Sequence, residues 1–488
     1  MRLPIALLCP MLALAAARPA VAGARRKRMT QEERIALVLR ETQPLEFPRG
    51  ERLPLYVWAV MSVPGDAQAI ERTLEALDAR GIAACATWRP GEGREASLER
   101  ALAVGAAQQR LGLRVNVNAN ACTYTVCDGS PETAHVDAEG RRFFDTSSAR
   151  RRKLGCPFRL ESRYPAMREQ VAFFCRGYAE AGVRPDVVFA DWEIDGPIEW
   201  QGGWDAARRC VVCREHIGDV DDFRAVQKAY RAVRCEIQRR CYAGPVLEHV
   251  PDALVGNYAV YPHNGWRYWY DYFEEPPREA VPVRWDHKCP VRPWVHEFGP
   301  CGYTLAMPTV YTWYRTWSWY PWAEGDYRWF YNLLLVASNA GEHTPADVPI
   351  VSFVHHTTTS PPREPDPAVR QFSTESYREL LWHMLLRGHD SFFLWCLEAE
   401  LAQELRPLHQ VWAAALRYKE FLDRGAPVTF AVPSEPGPVV SALRLGDRLL
   451  VRRTDFTDAA EPVPLEVDGR TVAVPRSPGR CQVLDLGP

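Results

Sequence analysis

Three carboxylates at alternate positions follow a short apolar run near the middle of the chain. Asp191, Glu193 and Asp195 come just after residues 187–190, which are all apolar. Because side chains alternate along a strand, a strand that continues through this segment places the three carboxylates on one side. Carboxylates held together raise the pKa of one of them, which then stays protonated near neutral pH and can protonate a leaving oxygen. We predict that Glu193 is this proton donor.

The segments around these carboxylates alternate between strand-like and helix-like patterns. From Leu53 to Gly425, runs rich in β-branched and aromatic residues alternate with amphipathic stretches, as is typical of βα units around a parallel sheet. The predicted strands are residues 55–60, 82–88, 113–118, 186–193, 254–261, 304–311, 348–354 and 391–395. This pattern predicts an α/β fold, a (β/α)8 TIM barrel over residues 53–425. Catalytic residues of such barrels lie at the carboxyl ends of strands, where Asp191 and Glu193 end strand four.

A glycosidic bond is normally cleaved with a second carboxylate opposite the proton donor. Predicted strands six and seven end without an acid, so Glu398 and Glu400, just after strand eight, are the available partners. Both also fit as favourable charges at the start of a helix. The other option uses the substrate: the 2-acetamido oxygen of an N-acetylhexosamine attacks the anomeric carbon, Glu193 protonates the leaving group, and Asp191 orients and stabilises the acetamido group.

Further candidates for substrate contact lie on other predicted strands and in the loops after them. Trp58 is on strand one, and Asn118 ends strand three, where it fits either a sugar hydroxyl or a loop backbone group. His355 follows strand seven without the HxH or HExxH spacing of a metal site, so we predict a substrate-binding or structural role for it. Aromatic residues cluster in 266–272 and 313–322, a composition that suits stacking on sugar rings.

Several of these segments resemble the hyaluronidase family of (β/α)8 glycosidases. The resemblance rests on short motifs in the same order along the barrel, namely Asp191-Trp192-Glu193, residues 256–262 (GNYAVYP), residues 307–311 (MPTVY) and Trp395. It implies a retaining, acetamido-assisted, endo-acting hydrolase in which Glu193 is the proton donor and Asp191 orients the acetamido group. It also implies that Tyr258 or Tyr261, together with Tyr311, places a hydroxyl near the acetamido group, above a subsite floor formed by Trp395.

The chain also departs from that family. Residues 194–197 (IDGP) stand where the family has a Trp-Arg-Pro type of continuation, and the cysteine spacing differs. Strand four is in addition similar to the chitinase signature DxxDxDxE, with Asp186, Asp191 and Glu193 in register and Phe189 in place of the middle aspartate. Either likeness implies acetamido assistance, and Asp195 is placed among the substrate-binding residues.

The N-terminal segment has the features of an export signal. Residues 1–22 combine Arg2 with an apolar stretch over residues 3–17 and a small-residue ending, which is typical of a signal peptide cleaved near Ala22. This predicts a secreted or periplasmic protein in which residues 23–52 form a leader or N-terminal extension.

The chain has 14 cysteines, of which all but Cys9 follow the predicted signal peptide. Export favours disulfides for some of them. Cys210 and Cys213 form a lone CxxC motif, with Cys235 and Cys241 further along. A four-thiolate zinc site is one interpretation of these four residues. We predict disulfides or free buried thiols instead, and accordingly no metal and no cofactor.

Composition and the C-terminal pattern complete the prediction. Residues 426–488 contain short alternating segments that predict a small all-β sandwich domain. A net charge of −2 with dispersed basic residues argues against nucleic acid, and no later run of about 18 apolar residues could span a membrane. The 17 tryptophans favour an oligo- or polysaccharide partner. We predict a secreted, acetamido-assisted glycoside hydrolase; the alternatives are a two-carboxylate glycosidase using Glu193 with Glu398 or Glu400, and a non-catalytic glycan-binding barrel.

Overall fold

The computed structural model describes most of the chain from Arg28 onwards. The described residues are 28–91, 93–123, 129–146, 153–192, 202–258, 299–314, 317, 325–359, 364, 366–433, 435–458 and 460–487. The predicted signal peptide and three of the predicted site residues, Glu193, Asp195 and Tyr261, lie outside these ranges. None of the helices in the described part of the chain is both long enough and apolar enough to cross a membrane.

Short strands and longer helices alternate along the described chain. The strands are β1 (Leu55–Val57), β2 (Ile82–Ala83), β3 (Ala86–Thr87), β4 (Asn116–Asn118), β5 (His135–Val136), β6 (Arg142–Phe143), β7 (Val187–Ala190), β8 (Leu254–Asn257), β9 (Thr309–Trp313), β10 (Val351–Thr359), β11 (Ser391–Leu394), β12 (Ala426–Pro427), β13 (Val439–Leu445), β14 (Arg448–Thr454), β15 (Val463–Val467), β16 (Arg470–Val474) and β17 (Cys481–Asp485). The helices are α1 (Gln31–Glu41), α2 (Ala67–Asp78), α3 (Arg94–Arg110), α4 (Tyr164–Glu180), α5 (Gly202–Arg209), α6 (Val211–Ile217), α7 (Phe223–Gln238), α8 (Gly244–His249), α9 (Asp326–His343), α10 (Thr374–Leu385), α11 (Leu401–Ala415) and α12 (Lys419–Arg424).

Two parallel sheets contain the strands predicted for the barrel. One sheet has the order β2-β1-β11-β10-β9 and the other the order β3-β4-β7-β8. The strands β2 and β3 are consecutive parts of the predicted second strand, so the two sheets adjoin there. Tyr56 of β1 lies opposite Phe393 of β11, so the first and last predicted strands are neighbours. The α/β class is confirmed, and this strand order is the one expected of a (β/α)8 barrel.

Backbone hydrogen bonds also connect the far edges of the two sheets. Thr304 and Leu305 donate their N–H groups to the carbonyl of Val255 in β8, at 3.0 and 3.1 Å. Ala306 forms a parallel bridge with Ile350, next to β10. Gly256 is required at this close approach, because a Cβ atom there would lie 2.9 Å from the Leu305 carbonyl oxygen.

Several strand ends differ from the predicted bounds. The strand predicted for residues 55–60 stops at Val57, because Trp58–Val60 form a 3₁₀ turn. The strand predicted to end at Val354 continues to Thr359, which pairs with Trp313 of β9. A strand ends where its neighbour stops offering backbone partners, and that depends on distant segments.

The helix α2 shows how local signals shape one barrel helix. The Asp66 side chain accepts a 2.8 Å hydrogen bond from Ala69 N and caps the first turn. Ile70, Leu74 and Leu77 recur at helical spacing and are the buried residues of this helix. The chain then turns at Gly81, whose φ of +67° favours glycine.

Aromatic side chains from opposite strands meet inside the barrel region. The ring of Phe393 in β11 lies 5.9 Å from Tyr56 in β1, 5.0 Å from Phe189 in β7 and 4.3 Å from Phe353 in β10. Tyr56 donates its hydroxyl hydrogen to Asn116 Oδ1 at 3.0 Å. The strands β7 and β11 belong to different sheets and are far apart in the strand order. Contact between their side chains therefore indicates a common filled interior.

Replacing Phe393 with Ala is expected to lower the free energy of unfolding by about 3–5 kcal/mol, because it leaves a cavity where the rings meet. Denaturant unfolding at equilibrium measures this loss. Val483→Ala in β17 is the matched control, since the Val483 side chain is 47% exposed. Equal losses for the two variants would contradict a core centred on Phe393.

Part of the segment predicted as a leader is packed against the barrel. The helix α1 begins with a capping box between Thr30 and Glu33 and buries Ile35 and Val38. The Gln31 Nε2 group donates 2.8 Å hydrogen bonds to the carbonyls of residues 59 and 62. Residues 31–41 are therefore packed as an N-terminal extension, one of the two forms predicted for residues 23–52.

The C-terminal segment is all β, as predicted. Antiparallel strands form one sheet of order β12-β13-β14-β17 and a separate β15-β16 hairpin. Residues of both share a small apolar cluster, which includes Ala442 of β13, Val451 of β14 and Leu465 of β15. A division of the chain between residues 425 and 426 stays a prediction.

A buried guanidinium links this C-terminal segment to the helices. Arg387, just after α10, donates hydrogen bonds to the carbonyls of Phe430 and Ala431 at 2.8 and 2.9 Å and to Ser441 Oγ at 2.8 Å. Burial lowers the pKa of Arg387 to about 9. The carbonyl dipoles compensate the buried charge and fix the sheet on the helices.

Each described cysteine is a free thiol. The predicted disulfides therefore do not form among the described residues, where the alternative of buried free thiols holds for all but the half-buried Cys396 and Cys481.

Candidate active site

Seven predicted site residues lie on parallel strands or just beyond their carboxyl ends. These are Trp58 after β1, Asn118 in β4, Asp191 after β7, Tyr258 after β8, Tyr311 in β9, His355 in β10 and Trp395 after β11. The carboxyl ends of parallel strands lie on the same side of a sheet, and five of the seven residues are at or just beyond such an end, namely Trp58, Asn118, Asp191, Tyr258 and Trp395.

Four of these side chains form a continuous aromatic row. Tyr311 is at its centre, with ring centroids 6.3 Å from Tyr258, 5.9 Å from His355 and 6.0 Å from Trp395. Tyr258, Tyr311 and His355 are buried, whereas Trp395 is half-buried. The Trp395 ring lies stacked on Tyr311, with 29° between the ring planes. The row thus supports Trp395 as a rigid platform of the kind on which a sugar ring can stack.

A cleft of roughly 790 Å³ opens beside this platform. Trp58, Asn118 and Trp395 all line it, so the structure brings together three residues that were predicted from separate strands. Arg34 of α1 and Arg89 also face the cleft. Its volume is in the range typical of small-molecule pockets.

Asp191 lies between the ends of two neighbouring strands. Asn118 pairs with Phe189 on one side, and Tyr258 N donates to the Ala190 carbonyl at 2.9 Å on the other. The Asp191 side chain is only partly exposed, and desolvation raises its pKa to about 7. A carboxyl of this kind changes its charge near neutral pH, which is useful for catalysis. The carboxyl for which the sequence predicts a raised pKa is Glu193, which lies outside the described residues.

Asn257, at the end of β8, holds the backbone of the residue before Glu193. Asn257 Oδ1 accepts a 2.8 Å hydrogen bond from Trp192 N, and Asn257 Nδ2 donates a 3.2 Å bond to the Trp192 carbonyl. Both residues are almost fully buried. Two bonds to the N–H and C=O groups of one residue fix the backbone at the point where the predicted catalytic segment leaves the strand. The signal in the sequence is an amide side chain at the end of an otherwise apolar strand.

Glu398 binds to the N-terminal segment. Its carboxylate accepts a 2.5 Å hydrogen bond from Met29 N and lies 3.0 Å from Arg34 Nη2. Glu398, one of the two carboxylates predicted as partners of Glu193, therefore binds α1 at the edge of the cleft.

Glu400 and Glu404 lie on either side of His355. The His355 Nε2 atom is 3.6 Å from an oxygen of each carboxylate. Glu404 is fully buried and accepts hydrogen bonds from His356 N at 2.7 Å and Thr357 N at 2.5 Å. These three side chains place their ligand atoms within 4.8 Å of one another, so they are also a group of donors that could hold a divalent cation. Glu404, which the sequence analysis does not single out, fixes the backbone after His355.

No known protein family matches this chain, and the search of curated proteins finds no match. Among solved structures, the chain is similar to an alpha-L-fucosidase from Paenibacillus thiaminolyticus, with 12% identity, a TM-score of 0.42 and coverage of 76% of this chain and 50% of the fucosidase. It is also similar to a maltogenic alpha-amylase from Thermotoga neapolitana, with 12% identity, a TM-score of 0.42 and coverage of 89% and 97%. A GH36 alpha-galactosidase from Geobacillus stearothermophilus has 10% identity, a TM-score of 0.43 and coverage of 93% and 57%. The chain thus spans about half the length of the fucosidase.

Proposed function

We propose that this protein is a retaining glycoside hydrolase that acts on N-acetylhexosamine-containing glycans with assistance from the substrate's 2-acetamido group. The observation that carries the proposal is the desolvated carboxyl of Asp191, with a pKa of about 7, at the carboxyl end of strand four. Glu193, two residues further along the chain, is the proposed proton donor. The proposal includes a hyaluronidase-like arrangement of the site.

In the first step, the acetamido carbonyl oxygen attacks the anomeric carbon while the bond to the leaving oxygen breaks. Glu193 donates its proton to that oxygen, and Asp191, as a carboxylate, accepts the acetamido N–H hydrogen bond and offsets the positive charge of the oxazolinium ring. In the second step, water attacks the anomeric carbon and loses a proton to Glu193. The ring reopens, and the product keeps its anomeric configuration.

The surroundings of Asp191 suit these steps. The two hydrogen bonds between the Asn257 side chain and the backbone of Trp192 orient the chain next to Asp191. The Trp395 ring offers a platform for the sugar, and the buried Tyr311 supports it. Fixed positions of this kind matter because a displacement of about 1 Å can reduce the rate of an enzyme by roughly 10²-fold.

A two-carboxylate glycosidase that uses Glu193 with Glu400 is the second candidate. It is favoured by the position of Glu400 beside His355, which itself contacts Tyr311 and Trp395. Glu398 is a weaker partner because Arg34 and Met29 already bind its carboxylate.

A panel of glycans with and without N-acetylhexosamine tests the proposal. The purified protein is incubated with each glycan, with and without a thiazoline analogue of the oxazolinium intermediate, and released ends are identified by mass spectrometry. We expect cleavage only of acetamido sugars, inhibited by the thiazoline. Cleavage of acetamido-free glycans that is lost in Glu400→Gln would favour the two-carboxylate mechanism. Binding of glycans without any cleavage would favour the alternative of a non-catalytic glycan-binding barrel.

Two structural and cellular features belong to the same proposal. We propose that the two parallel sheets form one closed (β/α)8 barrel, joined through β2 and β3 on one side and residues 304–306 on the other. We also propose export through residues 1–22, followed by cleavage near Ala22. N-terminal sequencing of the exported protein tests the second point, and a mature chain that retains Met1 would refute it.

A further inference from the structure

Four buried side chains from three separate segments meet outside the cleft. They are His135 in β5, Cys156, and Cys210 and Cys213 at the start of α6, and none is measurably exposed. Their ligand atoms all lie within 4.8 Å of one another. Imidazole nitrogen and thiolate sulfur are the donors that zinc prefers in structural sites.

The distances fit the edges of a tetrahedron around one ion. Cys156 Sγ is 3.5 Å from Cys213 Sγ and 3.9 Å from Cys210 Sγ, and Cys213 Sγ is 3.9 Å from His135 Nδ1. Zinc–sulfur bonds of about 2.3 Å give tetrahedral edges of about 3.8 Å between sulfurs. A disulfide instead requires sulfurs about 2.05 Å apart, so none of these sulfur pairs forms one.

The imidazole of His135 provides a second, independent observation. Its Nε2 atom is buried and has no hydrogen-bond partner among the described residues. Its Nδ1 atom lies 3.9 Å from Cys213 Sγ. A contact of 3.9 Å is too long for a strong hydrogen bond, and a metal ion on Nδ1 would supply a strong interaction for this buried imidazole.

The local backbone holds each ligand in place. Cys156 N donates a 2.7 Å hydrogen bond to the Thr133 carbonyl. A Cβ atom on Gly155 would lie 2.3 Å from that carbonyl oxygen, so only glycine allows this approach. The ring of His135 is stacked on Phe143 of β6, with centroids 5.1 Å apart. The ligands thus come from rigid positions, as a preorganised metal site requires.

We propose that His135, Cys156, Cys210 and Cys213 bind one Zn²⁺ ion in a structural Cys3His site. Four protein ligands complete the tetrahedron and leave no open position for water or substrate, so the ion stabilises and does not catalyse. Binding replaces the protons of the three thiols, which are released. In this proposal the partners of the CxxC motif are His135 and Cys156 instead of Cys235 and Cys241, and the chain binds a metal that the sequence does not predict.

The ion would join a loop that precedes β7 to a loop that follows it. His135 and Cys156 belong to the segment between β4 and α4, whereas Cys210 and Cys213 lie in the segment after β7. Glu193 is in the stretch between Trp192 and α5, so the site anchors the far end of the segment that carries the proposed proton donor.

Metal analysis of the purified full-length chain tests the site. Inductively coupled plasma mass spectrometry is expected to find one zinc per chain, retained through dialysis. Cys156→Ser and Cys213→Ser are expected to lower this content by at least tenfold, whereas Cys241→Ser, also buried, keeps it. Loss of zinc in Cys241→Ser with retention in Cys156→Ser would overturn the ligand assignment, as would a metal-free wild-type chain.

X-ray absorption at the zinc edge identifies the ligands in the wild-type chain itself. It therefore tests the site even if a variant does not fold. For the wild-type chain we expect three sulfur ligands at about 2.3 Å and one nitrogen at about 2.0–2.1 Å. In His135→Cys we expect four sulfurs and full zinc content, because thiolate can replace imidazole. A wild-type shell of four sulfurs, or one dominated by oxygen, would overturn the proposal. None of these readouts depends on glycosidase activity.

Discussion

Replacing Glu193 with Gln is expected to lower kcat by more than about 10³-fold, because the leaving oxygen then departs without its proton. The loss should shrink for a substrate whose leaving group is a weakly basic phenol, since such a group departs with little need for protonation. Steady-state kinetics on a natural glycan and on a dinitrophenyl glycoside measures both effects.

Glu180→Gln is the matched control for this experiment. Glu180 is an exposed carboxylate at the last residue of α4, away from the cleft, and its variant is expected to keep full activity. Circular dichroism of both variants checks that the fold is retained. An equal loss on the natural and the activated substrate would remove Glu193 from the role of proton donor.

The second large effect is expected for Asp191→Asn, which should lower kcat/KM by about 10²–10³-fold, as does removal of other groups that stabilise transition-state charge. In the wild type, kcat/KM should fall below a pH of about 7, because the pKa of Asp191 is raised to about 7 and the mechanism needs its carboxylate. The residual activity of the variant should lack this acidic limb. If kcat/KM of Asp191→Asn still fell below a pH of about 7, a group other than Asp191 would be responsible for this pH dependence.

The same pKa predicts how stability changes with pH. The pKa of Asp191 in the folded chain lies above that of an unfolded aspartate, so its contribution to folding is fully present below pH 4 or so and is lost as the pH rises through about 7. The denaturant midpoint of the wild type, compared with that of Asp191→Asn, should therefore be lower at pH 8 than at pH 5. A difference between the wild type and Asp191→Asn that stays constant with pH would contradict the raised pKa.

Much of the fold could be predicted because its signals are local. The apolar runs that become β7, β8 and β11 are short, bounded by polar residues and separated by amphipathic stretches, and this pattern depends only on nearby residues. The position of Asp191 just after β7 follows directly from it, whereas Tyr311, predicted as the last residue of its strand, lies in the middle of β9. The end of β1 at Val57 could not be predicted, because a strand ends where its partners end.

Contacts between distant segments account for what sequence reasoning missed. Asn257 lies 65 positions from Trp192, and nothing near either residue indicates their paired hydrogen bonds. The ion pair of Arg34 in α1 with Glu398, just before α11, likewise joins residues 364 positions apart. Such pairs become visible only when the sheets bring their strands together.

The cysteines show most clearly which features the sequence determines and which depend on the tertiary structure. The sequence by itself determined a CxxC motif at Cys210 and Cys213, the carboxylates that follow residues 187–190, and the aromatic rings on other predicted strands. Only the tertiary structure decided that His135 and Cys156, 78 and 57 positions from Cys213, are the neighbours of that motif. The physical reason is that a metal site requires donors about 4 Å apart in space, and chain spacing constrains that distance only for neighbours in sequence.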